Sequence, residues 1–170
     1  MKKFTFKNQK GVTMIELIVS ISIFSIAVIS VLSILSISIT AQRKVLALQD
    51  VEDNARFILE FMAKEVRMGI INGAGTDYLN ITRSDGDVIQ YSFSDGNMIR
   101  ANISDNENGA INSDNVNITG SFYASGIGAV DNLEPKVTIA LSIQGQGSKA
   151  EEQARIDIQT TLSQRTLDMP

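Results

Sequence analysis

Glu16 is the residue in this sequence whose position most demands a chemical explanation. It is the only charged side chain between Val12 and Ala41, in a run otherwise made of apolar and small polar residues. A carboxylate held in hydrocarbon costs roughly 2.5 kcal/mol or more, so it calls for a cationic partner, and the run supplies none. The nearest cation is a new α-amino group on Val12, created if the peptide bond after Gly11 is cut. Upstream lie Lys2, Lys3, Lys7 and Lys10, with no acidic residue among the first ten. The chemistry this would allow is pairing of that new amine with the carboxylate.

The remaining residue types exclude most catalysis. The 170-residue chain has no cysteine and no histidine, which removes disulfides, thiolate chemistry and the commonest general base and metal ligand. The carboxylate pairs Asp85/Asp87 and Glu151/Glu152 sit in turn contexts, and nothing marks them as acid–base catalysts. The stretch from Ser104 through Glu107 to Asn115 is dense in oxygen ligands. It fails the EF-hand pattern, however, because Ser104 falls where Asp is needed and Asn115 where Glu is needed. It reads as solvated turns. Gly120 through Gly128 lacks phosphate-loop spacing and reads as a loop. No enzyme activity, cofactor or metal site is expected. Without the leader, eleven basic residues face nineteen acidic ones, a net charge of about −8. That balance argues against nucleic acid as a direct partner.

These groups must be positioned by a long helix. Residues 12–41 exceed the roughly 20 apolar residues that span a bilayer. Their local alternation, as in Val19-Ser20-Ile21-Ser22-Ile23, would suit a strand in water. A lone strand in lipid leaves its backbone groups unpaired, so a helix is expected. Ser22, Ser25, Ser30, Ser33 and Ser36 recur mostly every three residues. They are either a small-residue face for helix packing or harmless serines in a single span. An ordinary secretory signal is a poor fit, since its apolar region is roughly 7–15 residues. The basic leader, residues 1–11, places the N-terminus in the cytoplasm and the rest across the membrane.

Residues 42–69 read as an amphipathic continuation. Leu48, Val51, Ala55, Leu59, Met62 and Val66 form its apolar stripe, Glu52/Arg56 and Glu60/Lys64 are i,i+4 pairs, and Gly69 is the stop. Helix over residues 12–68 would be roughly 85 Å long at 1.5 Å per residue. Residues 72–77 read as a link, and residues 70–170 as a β-rich head. Asp95-Gly96 marks a hairpin between residues 88–93 and 98–103. Further strands are expected near 79–83, 116–123, 136–144 and 155–163. The fold class is α+β, with the long helix packed on an antiparallel sheet.

The run Lys10-Gly11-Val12-Thr13-Met14-Ile15-Glu16-Leu17 resembles the processing motif of type IV prepilins and type II secretion pseudopilins. The resemblance implies that prepilin peptidase cuts after Gly11 and methylates Val12, and that Glu16 pairs with an amine during assembly. The family usually has Phe or Met where this chain has Val12. A pilin-like fold is implied, with partners comprising the membrane before assembly, other subunits through the N-terminal helix, and the assembly platform. The phrase Asp53-Asn54-Ala55-Arg56 through Glu65-Val66-Arg67, the 89–100 hairpin and the ending Thr160-Thr161-Leu162-Ser163-Gln164-Arg165 resemble minor subunits, the J-type pseudopilin and W-type minor pilin. The implied product starts as a single-pass inner-membrane protein with its C-terminal domain extracytoplasmic. It ends in a surface or periplasmic filament. The alternative is a membrane-anchored binding module that never enters a filament.

Overall fold

The computed structural model describes residues 11–127 and 134–165, with the Glu151 side chain excepted. The basic leader residues 2–10 and Gly128 lie outside the described residues. One helix, α1 (Met14–Met68), is followed by eight strands. The chain divides between Ala41 and Gln42 into two units.

In the first unit α1 is exposed along its whole length. Phe24, 69 % exposed, is covered by nothing among the described residues. Ser22, Ser25, Ser30 and Ser33 donate their hydroxyls to the carbonyls of Ile18, Ile21, Ile26 and Ile29 at 2.8–2.9 Å. Each donor is therefore satisfied within the helix, which makes serine compatible with an apolar solvent. Among the described residues this is the one helix long and apolar enough to cross a membrane.

In the second unit Val51, Ala55, Ile58, Met62 and Val66 of α1 are buried in one core. The expected stripe is rotated slightly: Ile58 enters the core, while Leu59 is half-buried and Leu48 exposed. Burying a side chain of this size stabilises by about 1.5–3 kcal/mol. Neither Glu52/Arg56 nor Glu60/Lys64 forms a salt bridge among the described residues. Such surface pairs contribute only tenths of a kcal/mol in any case.

The head has two antiparallel sheets. The first is a meander of β1 (Ile70–Ala74), β2 (Tyr78–Thr82), β3 (Val88–Ser94), β4 (Asn97–Asn102) and β5 (Glu107–Ala110). The second contains β6 (Val116–Ser125), β7 (Lys136–Gly145) and β8 (Arg155–Ser163), and a 3₁₀ turn at Ala150–Glu152 precedes β8. Val137, Ile139, Leu141 and Ile143 are buried, as their alternation requires. β6 is tied to the first sheet by Ile118 N–H donating to the Gly96 carbonyl at 2.7 Å and Phe122 N–H to that of Thr76 at 3.0 Å. Phe93 and Phe122 stack beside these bonds with centroids 4.9 Å apart.

Three loop assignments are corrected. Asn72, Gly73 and Ala74 belong to β1 rather than to a link. Gly73 and Ala74 pair with Asn80 and Leu79 of β2, and Asn72 sits at the register shift between Ile71 and Gly73. Glu107–Ala110 is a strand, and the oxygen-rich piece before it is the turn joining β4 to β5, with Asn106 at φ 57°. Gly120 through Ser125 lies in β6, where Gly120 lets the strand pass the Phe93 ring.

Gly69 ends α1, but not through a left-handed backbone, since its φ is not positive. A Cβ built there would lie 2.4 Å from Ile81 Cγ2 and 2.9 Å from the Thr82 carbonyl oxygen. Gly69→Ala is expected to destabilise the head by about 1–3 kcal/mol through overpacking, read as a lower denaturant midpoint at unchanged slope.

Candidate functional site

Two groups of residues carry the chemistry, one in each unit. In the first, Gly11, Val12 and Thr13 are non-helical and exposed, and α1 begins at Met14 rather than Val12. The cause is local. Thr13 Oγ1 accepts a hydrogen bond from the Glu16 N–H at 3.3 Å, and the Thr13 carbonyl accepts one from Leu17 N–H at 3.1 Å. Thr13 therefore caps the helix, satisfying an N–H that has no partner within it. Its Ser/Thr-x-x-Glu spacing to Glu16 was a legible signal for that role.

Gly11 has neither a positive φ nor a neighbour within 4 Å of a built Cβ. Among the described residues nothing requires glycine there. Glu16 is the third residue of α1, where the helix dipole favours a negative charge. Its side chain is exposed and makes no salt bridge among the described residues. The three candidate residues thus fall within six positions, on an open, non-helical segment and the first turn that follows it.

The second group fixes the helix on the head, and the sequence reading did not single it out. Glu65 of α1 accepts from Tyr91 OH at 2.5 Å and from Arg100 Nη2 at 2.7 Å. Tyr91 and Arg100 are direct partners across β3 and β4. The Arg100 guanidinium lies 5.6 Å from the centre of the Phe61 ring, close enough for a cation–π contact. Tyr91 is fully buried. Burial, then the Glu65 carboxylate, pushes its phenol pKa well above the usual tyrosine value.

The sign for stability follows from that shift. In the unfolded chain Tyr91 ionises near its ordinary value of 10.0, whereas in the folded head it stays protonated. Its contribution is complete below pH 10 and is lost as pH rises above it. Alkaline denaturation beginning near pH 10 is expected, and Tyr91→Phe should flatten it. An unchanged profile in that variant would contradict the assignment.

Other candidate carboxylates have structural roles. Asp85 pairs with Arg83 and accepts from Asp87 N–H, and Glu152 pairs with Arg43. Asp87 and Asp105 both accept from Asn102 Nδ2. Among the described residues no group of three or more His, Cys, Asp or Glu side chains converges to hold a metal.

A family model for the prokaryotic N-terminal methylation motif matches residues 6–32. The match spans Gly11, Val12, Thr13 and Glu16, so these residues stand within a prepilin-type N-terminal methylation signal. No curated protein and no solved structure matches the chain.

Proposed function

We propose that this chain is a structural subunit of a type IV pilus or type II secretion-type filament, without enzymatic activity. Prepilin peptidase cuts after Gly11 and methylates the Val12 amine, and the mature chain assembles through α1. The observation that carries this reading is the apolar first part of α1, residues 14–41, uncovered among the described residues, bearing the methylation motif and a single carboxylate in its first turn. So much exposed apolar surface must meet lipid or other helices. Before assembly the chain sits in the cytoplasmic membrane with its head outside, and the assembly platform then draws it into the filament.

Two further observations support processing at this bond. Residues 11–13 lie outside the helix and are exposed, so the peptide bond after Gly11 is not locked in helical hydrogen bonding. Among the described residues nothing requires glycine at Gly11, which fits a requirement set by the enzyme that reads it. The phrases shared with J-type pseudopilins and W-type pilins favour a minor subunit, present in few copies beside other subunits.

The test is co-fractionation. The full chain, tagged at an exposed head position, is expressed in its own host with and without the assembly platform. Sheared or isolated filaments should contain it only when the platform is present. Retention of all of it in the membrane under both conditions would favour the anchored binding module.

A further inference from the structure

We propose that the outer edge of β8 receives an extended, acidic segment of a neighbouring filament subunit, adding a strand to the second sheet. The inference rests on the filament reading above.

The bonding register defines the edge. Gly145 N–H donates to the Ala154 carbonyl, and Gln164 N–H to that of Pro135. In the uninterrupted antiparallel pairing between those points, the even-numbered residues of β8 bond to β7. Arg155, Asp157, Gln159, Thr161 and Ser163 therefore turn their N–H and C=O groups outward. This is a straight nine-residue edge with no proline and no bulge.

The other edges differ. β6 is closed by its bonds to Gly96 and Thr76, and the Ile71 N–H of β1 is taken by Gln164 Oε1. β5 is four residues long. The β8 edge carries an Arg155–Asp157 ion pair near its start, but its length without proline or bulge makes it a template for a further strand.

What lies beside the edge selects the occupant. A groove of about 580 Å³ runs between β8 and α1. Its lining includes Leu59 and Leu162 together with Lys64, Arg67 and Arg165, and among the described residues that line it Glu60 is the only carboxylate. None of these three cations is in a salt bridge among the described residues. An incoming strand would set alternate apolar side chains over the groove and its acidic groups against the cations. A chain this acidic overall, with a formal net charge of −4, stands out for having a cationic groove here.

The test uses the full chain in its host. A photoreactive benzophenone side chain replaces Gln159, whose side chain is exposed on the outer face. Linked peptides are sequenced from filaments that contain the chain. The expected peptide comes from another subunit, is extended, and carries Asp or Glu.

In parallel, Gln159→Pro removes only an outward N–H and leaves the β7 bonds intact. It should reduce incorporation at least tenfold with cleavage unchanged, as should Lys64→Glu combined with Arg165→Glu. Asn108→Pro on the short β5 edge is the control and should be neutral. A chain present in filaments with no link at 159 and no effect of Gln159→Pro overturns the proposal. So does a link to a helix of a neighbour or to β8 of a second copy. A chain that is unsubstituted and still never reaches filaments overturns the filament reading instead.

Discussion

Glu16→Ala is expected to leave cleavage after Gly11 and the fold of the head intact while lowering incorporation into filaments by about tenfold or more. The head cannot feel the change, because Glu16 belongs to the first unit and the core to the second. The helix start is held by Thr13 through the Glu16 backbone N–H, which alanine retains. What disappears is the one charge in the apolar run. An amine and a carboxylate each cost several kcal/mol to desolvate alone, and that cost falls sharply only when they meet. In a filament core made of such helices, a neighbour's Val12 amine is the cation that the apolar run of residues 12–41 does not itself supply. Removing the carboxylate leaves that amine buried and unpaired. Glu16→Gln separates charge from shape, and it should be nearly as defective as alanine. Quantifying the chain in sheared filaments against total cleaved chain reads the effect. Wild-type incorporation of Glu16→Ala would mean that the charge plays no part in assembly.

The second large effect is expected at Glu65. Glu65→Ala leaves a buried phenol without its acceptor and a half-buried guanidinium without its anion. Breaking one side of a fully buried pair costs about 3–5 kcal/mol. The Arg100 side chain is 23 % exposed, so water recovers part of this. About 2–4 kcal/mol remains, including the orphaned hydroxyl. For a chain of this size that lowers Tm by roughly 5–12 °C. Tyr91→Phe removes one hydrogen bond without stranding a charge and should cost only about 1 kcal/mol. A double-mutant cycle between Glu65 and Arg100 should show strong coupling. Additive effects would show that the clamp is ornamental.

Much of this architecture is legible in the sequence. The apolar run could only be helical in lipid, and the strong alternation of β7 forces one buried face. Asp95-Gly96 also contained more than a hairpin. A two-residue turn fixes the register outward, so Ser94 meets Asn97 and Tyr91 meets Arg100. A cation beside a tyrosine on the face shared with Ile89 and Met98 calls for an anion from the covering layer, and Glu65 supplies it. That inference was available from residue spacing alone.

β1 and β5 were not legible, for a physical reason. β5 buries none of its four side chains, so it has no apolar period, and only its backbone bonds to β4 define it. β1 buries only Ile71 fully, and its Asn-Gly bulge imitates a link. Thr13 was overlooked because the eye follows hydropathy there, whereas its cap is a polar contact across three residues.

Intact-mass and N-terminal analysis of the chain, expressed with and without prepilin peptidase, tests the central claim most directly. With the peptidase, the product should begin at Val12 and carry one methyl group on its amine; without it, Met1-initiated chain should accumulate. A full-length chain in the presence of an active peptidase, with the bond after Gly11 intact, would contradict the account.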